Sequence, residues 1–258
     1  MVVKSLRHAI ITAGSKGLGK MVTEAFLQNG FSVTVNYRSD KERVQQLKAE
    51  WEEYADRLHF VQGDITQKSA IEHIVDQAMD HYGRVDYLIN NAGPYVFQEK
   101  KLVDYDDAEW YEMIEGNLSS VFHFVKRVIP IMREQQFGRI ITYGFQDAQY
   151  TPGWMYRAAY SAAKVGLVSL TKSIALEEAE HGITANMICP GDITGDMKES
   201  NIQMAKSIKD QKTPVGRPGS GGDIARLIDF LCQEDSDLIT GSIIDGSGGI
   251  DVVNRKRS

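Results

Sequence analysis

The chain has 258 residues, of which 42% are hydrophobic and 25% are charged. This composition excludes a disordered or fibrous protein, and the length suits one α/β domain of about 250 residues. The 29 basic and 35 acidic residues give a net charge of −6, which excludes a general nucleic-acid binder because such a protein carries a basic surplus.

Short β-branched apolar runs alternate along the chain with longer amphipathic segments. In chain order the sequence predicts strand 9–12, helix 17–28, strand 32–37, helix 41–53, strand 58–62, helix 68–82, strand 87–89, helix 106–134, strand 138–142, helix 160–181, strand 184–188, helix 221–231 and strand 242–245. This alternation predicts an α/β fold, a doubly wound parallel sheet of about seven strands with helices on both faces. Without repeats or linkers, residues 1–258 are predicted to form a single domain.

Two of the predicted helices carry further signals. The second begins with Ser39-Asp-Lys-Glu42, a capping-box pattern. The long helix 106–134 is apolar over more than one face, which indicates either a deep core helix or a subunit interface. Its apolar positions are Trp110, Met113, Ile114, Leu118, Val121, Phe122, Phe124, Val125, Val128 and Ile129.

A glycine-rich loop joins the first strand to the first helix. It reads T-A-G-S-K-G-L-G over residues 12–19, so its glycines are Gly14, Gly17 and Gly19 rather than the spacing G-x-G-x-x-G. Glycines let a backbone approach a phosphate closely, and the following helix N-terminus offers free N–H groups. The loop therefore indicates either a nucleotide site or simply a tight connection.

The end of the second strand favours NADP(H) over NAD(H). An NAD site usually has an acidic residue there for the ribose 2′-hydroxyl, whereas an NADP site offers a basic one. Here the strand ends with Tyr37, Arg38 and Ser39, and Lys16 lies in the glycine loop. Two cations at the two places where a 2′-phosphate would lie predict NADP(H) as the cofactor.

Tyr160 and Lys164 are spaced four residues apart on a predicted helix, so they share one face. A cation beside a phenol stabilises the phenolate and lowers the pKa of the phenol, which suits proton exchange near neutral pH. Such a pair also occurs by chance, and its meaning depends on the motifs around it.

Those motifs follow a known family pattern. They are the loop 12–19, Asp64 after the third strand, N-N-A-G at residues 90–93, Asn117 in the long helix, the Tyr160–Lys164 pair, Pro190-Gly191 with Thr194, the segment 214–218, and the segment 239–246. Over nearly its whole length, the sequence resembles the single-domain short-chain dehydrogenase/reductases, and in particular the 3-oxoacyl-[acyl-carrier-protein] reductases. The resemblance implies a Rossmann-like NAD(P)-binding catalytic domain.

The resemblance also implies a reaction, namely hydride transfer between the nicotinamide and a small carbonyl or alcohol substrate, acyl thioesters included. Tyr160 would be the general acid, Lys164 would bind the nicotinamide ribose and lower the pKa of Tyr160, and Asn117 would hold a water of the proton relay. A homotetramer is the implied assembly. The residues implied to bind the cofactor, besides Tyr160 and Lys164, are Thr12, Gly14, Ser15, Lys16, Gly17, Leu18, Gly19, Tyr37, Arg38, Ser39, Asp64, Ile65, Asn91, Ala92, Gly93, Pro190, Gly191, Ile193 and Thr194.

The sequence departs from the family pattern in two places. The loop has Ala13-Gly14 where the family has Gly-Ala, an exchange expected to cost little. Phe145 stands where the catalytic Ser would be, and losing such an oxyanion donor costs on the order of 10²–10³ in rate. Asp147 lies at the usual spacing before Tyr160 and is a candidate catalytic substitute, as is Gln146, although Asp147 could equally be an exposed loop acid.

Three functions remain open. The favoured one is an NADPH-dependent carbonyl reductase. The second is a pteridine-type reductase with Asp147 replacing the Ser and Tyr95 stacking on the pterin. The third is a catalytically impaired NADP(H)-binding sensor. Three aromatics within residues 149–156, together with Tyr95 and Phe97, suggest an apolar or flat substrate, or they pack on one another. By resemblance, residues 195–213 would cover the substrate.

Other features predict no further site. Cys189 and Cys232 match neither a disulfide framework nor a zinc motif, and the histidines lack metal-ligand spacing. Apolar runs are too short for a membrane span, so a soluble cytoplasmic protein without a membrane partner is expected. The basic residues 254–258 are expected to be a solvated terminus.

Overall fold

The computed structural model describes residues 6–95 and 97–253. Its centre is a seven-stranded sheet with the order β3-β2-β1-β4-β5-β6-β7, in which all neighbouring strands are parallel. The strands are β1 His8–Ile11, β2 Ser32–Tyr37, β3 Leu58–Gln62, β4 Tyr87–Asn90, β5 Gly138–Tyr143, β6 Ile183–Pro190 and β7 Ile243–Gly246. The predicted doubly wound α/β fold is confirmed.

Helices cover both faces of this sheet. They are α1 Gly17–Gln28, α2 Lys41–Glu50, α3 Lys68–Tyr82, α4 Asp107–Ile114, α5 Ser120–Gln135, α6 Ala158–Glu177, α7 Ile202–Ser207 and α8 Gly221–Cys232. Alternate side chains of a strand point to opposite faces. Accordingly, Ile10 joins a core with α3, α5 and α6, whereas Ile11 joins a second core with α1, α2 and α8.

The order of the strands places a crevice above β1 and β4. From β1 the chain first builds outward through β2 and β3, and from β4 it builds in the opposite direction through β5, β6 and β7. Ile11 pairs with Val35 on one side and with Ile89 on the other. At such a reversal point the loops after the two strands diverge and leave room for a ligand at their carboxyl ends.

Most element boundaries differ from the predicted ones by only a few residues. The second helix is an exception at its beginning, because Asp40 rather than Ser39 is its N-cap and accepts a hydrogen bond from the Arg43 amide at 3.0 Å. It ends before the buried Trp51 instead of at residue 53. The short helix α7 is absent from the sequence prediction.

The long helix predicted over 106–134 is interrupted by a π-helical turn, Glu115–Ser119, between α4 and α5. Asp106 and Glu109 form a reciprocal capping box at the beginning of α4. Phe122 is 46% exposed, so burial in a deep core does not explain the whole apolar surface. A π-helical turn inside an α-helix commonly marks a functional site, and this one carries Asn117.

The basic segment 254–258 lies outside the described residues. Among the helices of the described chain, none has the length and apolarity needed to cross a membrane.

Candidate active site

The glycine loop after β1 is tied to the turn after β4. The Ala92 amide donates to the Thr12 hydroxyl at 2.9 Å, and the Asn91 side-chain amide donates to the Thr12 carbonyl at 3.0 Å. Three residues implied by the resemblance therefore lie together at the floor of the crevice.

Two glycines of this loop have no room for a side chain. A Cβ on Gly19 would lie 2.5 Å from the Ala13 carbonyl oxygen and 2.5 Å from the Asn91 amide nitrogen, and one on Gly14 would lie 2.9 Å from the Thr23 hydroxyl. The two glycines thus let the loop pack closely against the first turns of α1 and against the turn after β4.

The backbone conformation of Ala13 does not agree with the expectation that the exchange at Ala13-Gly14 costs little stability. Its φ is +49°, a left-handed conformation that glycine adopts readily and alanine does not. This conformation costs an alanine roughly 1–2 kcal/mol. The loop is therefore strained at the position where the family has glycine.

A carboxylate occupies the anion position at the N-terminus of α1. The Gly17 amide donates to one oxygen of Glu199 at 2.8 Å, and Arg43 donates to the other at 2.9 Å. Free amides at a helix N-terminus bind anions, so the Glu199 oxygens stand in for phosphate oxygens. The Gly17 amide and the Arg43 guanidinium, which hold this carboxylate, therefore suit the phosphate group of a ligand.

Sequence reasoning found two of the three cations near this position. Lys16 and Arg38 are exposed, and within residues 6–95 and 97–253 neither is paired with a carboxylate. Arg43, in the first turn of α2, was missed. Its residue type gave no signal, because only the fold brings α2 beside the glycine loop and Glu199.

The remaining residues of the nucleotide side line the same edge of the sheet. Tyr37 is the last residue of β2 and Ser39 follows the strand, whereas the Arg38 carbonyl accepts a hydrogen bond from Gln62 at 2.9 Å. One oxygen of Asp64 accepts from the amide and the hydroxyl of Thr66, at 3.0 and 2.9 Å. The turn after β3 is therefore rigid. The other cofactor candidates there, Ser15, Leu18 and Ile65, are buried or half-buried.

Tyr160 and Lys164 lie one turn apart on α6, beside the carboxyl ends of β4, β5 and β6. The Lys164 ammonium is 5.6 Å from the centre of the Tyr160 ring, and Lys164 is only 5% exposed. Tyr95, Trp154 and Phe145 surround the Tyr160 ring, with ring centres 5.0, 6.1 and 6.3 Å away. The phenol is thus set in an aromatic enclosure.

Burial dominates the protonation of this pair. It lowers the pKa of Lys164 to about 8 and raises the pKa of Tyr160, which the neighbouring Tyr95 and Cys189 also raise. In this structure the effect of burial on the Tyr160 pKa outweighs any lowering by Lys164. A raised pKa keeps the Tyr160 phenol protonated at neutral pH, as a general acid must be.

Asn117 is held firmly by one end of its side chain. Its amide nitrogen donates to the carbonyls of Pro94 and Met113, at 3.0 and 3.1 Å, whereas its amide oxygen is buried without a hydrogen-bond partner among the described residues. A Cβ on Gly93 would overlap this oxygen. A buried acceptor without a partner suits a bound water.

The position of the family's catalytic Ser and its two proposed substitutes lie in the loop after β5. Phe145 is 3% exposed and packs 5.1 Å from Trp154. The Gln146 side-chain oxygen accepts from the Val252 backbone amide at 2.8 Å, and the Asp147 backbone amide donates to the Asp245 carboxylate at 3.3 Å. These bonds tie the loop to the C-terminal segment, and they involve neither the Gln146 side-chain nitrogen nor the Asp147 carboxylate.

The segment after β6 forms the far wall of the crevice. The Gly191 amide donates to the Gly246 carbonyl at 3.2 Å, and a Cβ on Gly191 would lie 2.7 Å from Ser247 Cα. Pro190 and Ile193 belong to the same wall. Thr194 opens onto a cavity of about 240 Å³ that the segment predicted to cover the substrate also lines.

The aromatics of residues 149–156 do not act as one group. Tyr150 is 74% exposed, whereas Trp154 turns inward against Tyr160 and Phe145. Cys189 and Cys232 are buried free thiols. In the described part of the chain, no cluster of side chains is arranged to hold a metal ion.

Comparison with known proteins identifies the family of the chain. The profile of the short chain dehydrogenase family, adh_short, matches residues 7–206. YtkK from Bacillus subtilis, which is provisionally named an oxidoreductase, is 61% identical over 98% of this chain and 100% of its own length. The 3-oxoacyl-[acyl-carrier-protein] reductase FabG of Haemophilus influenzae is 32% identical over 94% of this chain and 97% of its own.

A solved structure from Bacillus thuringiensis, provisionally described as a 3-oxoacyl-reductase, superimposes with a TM-score of 0.92. It is 58% identical, and the match covers 96% of this chain and 100% of that one. The chain belongs to the short-chain dehydrogenase/reductase family, whose members are oxidoreductases that bind a nicotinamide cofactor.

Proposed function

We propose that this protein is an NADPH-dependent carbonyl reductase with a reaction like that of the 3-oxoacyl-[acyl-carrier-protein] reductases. The observation that carries the proposal is the buried Tyr160–Lys164 pair at the carboxyl edge of the sheet, beside the glycine loop. The substrate is a small carbonyl compound, and acyl thioesters fit this class. The relatives named as 3-oxoacyl reductases support the reaction type.

The residues present fit a dinucleotide. The Gly17 amide at the N-terminus of α1 already holds an anionic group, the Glu199 carboxylate, and so marks a position for a phosphate. Residues 12–19, 37–39, 64–65, 91–93 and 190–194 would hold the cofactor, which supplies a hydride when bound in its reduced form.

Side chains of the protein would donate the proton that the carbonyl oxygen receives and would then replace it. Tyr160 gives its phenolic proton to the carbonyl oxygen as the hydride reaches the carbon. Lys164, at 5.6 Å from the ring centre, stabilises the resulting phenolate when it is protonated. The free amide oxygen of Asn117 would accept a hydrogen bond from the water that returns a proton to Tyr160.

The test is NADPH oxidation, followed by its near-ultraviolet absorbance, with a panel of acetoacetyl thioesters, diketones, quinones and dihydropterin. Turnover of a thioester or diketone supports the proposal. Preferred turnover of dihydropterin would favour the pteridine-type reductase. Tight NADPH binding without any turnover would favour a sensor.

Arg38 is predicted to bind the 2′-phosphate. Arg38→Ser should weaken NADPH binding about tenfold or more, because a charge-assisted hydrogen bond contributes roughly 1.5–3 kcal/mol, and should leave NADH binding unchanged. Fluorescence titration of both cofactors measures this. The matched control is Arg226→Ser, an exposed arginine on α8. Equal NADPH and NADH affinities in the wild type would refute the NADP preference.

Glu199 is predicted to compete with the cofactor phosphates for Gly17 and Arg43. Glu199→Gln removes the like charge while keeping the shape, so the Kd for NADPH should fall about two- to fivefold. Glu180→Gln, at an exposed glutamate after α6, is the control. A weaker NADPH complex in Glu199→Gln would instead mean that the Glu199 carboxylate, through its bonds to Gly17 and Arg43, stabilises the form of the crevice that binds the cofactor.

We further propose a cytoplasmic homotetramer built from a single domain. The apolar side chains that α4 and α5 expose, Trp110, Tyr111 and Phe122, support an interface between subunits. Light scattering of the purified protein tests the assembly, and a monomer would contradict it.

A further inference from the structure

The proposed reaction needs a second hydrogen-bond donor at the carbonyl oxygen, and the family's serine is missing. As charge develops on this oxygen, two donors stabilise it better than one. Phe145 has no donor to offer. The Gln146 side chain is tied through its oxygen to the Val252 amide, and a carboxylate such as that of Asp147 accepts hydrogen bonds rather than donating them. The enclosure around Tyr160 offers another candidate for the donor.

Tyr95 is the hydroxyl-bearing side chain next to Tyr160. It follows β4, and its ring stands edge-on to that of Tyr160 at 5.0 Å and 82°. The two phenols are close enough that Tyr95 raises the pKa of Tyr160. Tyr95 is half-buried and lines an open cavity of about 280 Å³ together with Phe97, Tyr105 and Met113. The Tyr95 side chain thus contacts the Tyr160 ring on one side and this cavity on the other.

Arg157 fixes the direction of the Tyr95 hydroxyl. It lies at the beginning of α6, is 7% exposed, and donates from Nε to the Tyr95 oxygen at 3.2 Å, with its guanidinium 5.3 Å from the ring centre. Its other nitrogens donate to the carbonyls of Gln98 and Tyr156, at 2.8 and 2.9 Å, and to that of Phe97 at 3.4 Å.

This arrangement leaves the Tyr95 proton available. A guanidinium only donates, so the Tyr95 oxygen is the acceptor of that bond and its own hydrogen is free for another acceptor. These bonds to three carbonyls and to the Tyr95 oxygen hold the guanidinium in one place beside the Tyr95 ring.

We propose that the Tyr95 hydroxyl donates the second hydrogen bond to the substrate's carbonyl oxygen, in place of the missing serine, and that Arg157 is its positioning residue. The proposal rests on the proposed carbonyl reduction. The hydride adds to the carbonyl carbon with its electron pair, the π pair moves to the oxygen, and this oxygen takes the proton of Tyr160. Tyr95 keeps its proton throughout.

The first test compares Tyr95→Phe with Tyr82→Phe. Tyr82 stacks on His8 at the start of β1, away from the crevice, and its hydroxyl is buried without a hydrogen-bond partner among the described residues, so it is the matched control. Using the best substrate of the panel, we expect Tyr95→Phe to lower kcat about 10²–10³-fold with little change in NADPH affinity. We expect the Tyr82→Phe variant to stay within about threefold of wild type. A Tyr95→Phe kcat equal to that of wild type overturns the proposal.

A second readout does not depend on turnover. Acetylacetone enolate carries an oxyanion and mimics the developing charge. In a ternary complex with NADP⁺, its Kd should rise about tenfold in Tyr95→Phe and stay unchanged in Tyr82→Phe. Enolate affinity that does not depend on Tyr95 overturns the proposal. Tyr95-dependent enolate binding without turnover of any carbonyl would overturn the proposed function alone.

The role of Arg157 is tested by non-additivity. If it acts through Tyr95, Arg157→Gln should lower kcat, and the double variant Tyr95→Phe/Arg157→Gln should be no slower than Tyr95→Phe alone. Arg157→Lys keeps the positive charge but lacks the branched guanidinium group. Its kcat should therefore lie between those of Arg157→Gln and the wild type. Independent, multiplying losses in the double variant would make Arg157 a purely structural residue.

Discussion

Tyr160→Phe is expected to reduce carbonyl compounds about 10²–10⁴-fold more slowly than wild type, because it lacks the proton that the reduced oxygen must receive. The ring remains, so its contacts with Tyr95, Trp154 and Phe145 should persist. NADPH should bind as it does to wild type. Steady-state kinetics and a fluorescence titration of the cofactor give the two quantities.

A matched control for this variant is Tyr143→Phe. The Tyr143 hydroxyl is buried at the end of β5 without a hydrogen-bond partner among the described residues. Removing such a group is neutral or stabilising, and we expect unchanged turnover. If Tyr160→Phe retained the activity of Tyr143→Phe, Tyr160 would not be the acid.

Lys164→Met is expected to abolish most of the turnover and at the same time to stabilise the free protein. Burial lowers the pKa of Lys164 from 10.5 to about 8, so below pH 8 the folded chain holds a buried charge that the unfolded chain would hydrate. The shift corresponds to on the order of 3 kcal/mol. Methionine has a similar shape and needs no hydration, so the free energy of unfolding at pH 7 should rise.

The lowered pKa of Lys164 also determines the direction in which the free energy of unfolding changes with pH. Between about pH 8 and 10.5 the folded lysine has lost its proton whereas the unfolded lysine keeps it, so the wild type gains stability as pH rises. The advantage of Lys164→Met should therefore be full below pH 8 and shrink toward pH 10.5. Urea unfolding of the cofactor-free protein across this range measures it.

Lys172→Met, at an exposed position of the same helix, should change the free energy of unfolding by less than about 0.5 kcal/mol. A Lys164→Met variant that is less stable than wild type at pH 7 would mean that the ammonium has a stabilising partner. Lys164 would then stabilise the fold through that partner, as an ordinary structural lysine does.

The fold was predictable because its signals are local. The strand and helix periods along the chain, with the glycine loop after β1, sufficed for a doubly wound sheet. The π-helical turn Glu115–Ser119 was not predictable, since it changes the phase of the helix without changing its composition. Because the sequence prediction treated α4 and α5 as one regular helix, it gave them a broader apolar face than either helix has.

Without the family resemblance, the site was predictable only where its residues lie close together in sequence. Tyr160 and Lys164 share a helix, and their spacing places them together. Arg157 is only three residues before Tyr160, yet its role depends on Tyr95, which follows β4. Likewise Glu199 reaches Gly17 across most of the chain. Such contacts depend on loop paths that no local pattern encodes.

The all-parallel sheet also determines how the chain must fold. Because each pairing joins strands separated by a crossover, as Ala9 with Tyr87 and Gly138 with Ile183, no hairpin is available to begin the sheet. Long-range pairings of this kind fold slowly. The crevice needs the ends of β1, β4 and β6 together, so it forms late in folding. A nucleotide that binds only the finished crevice should slow unfolding without accelerating folding.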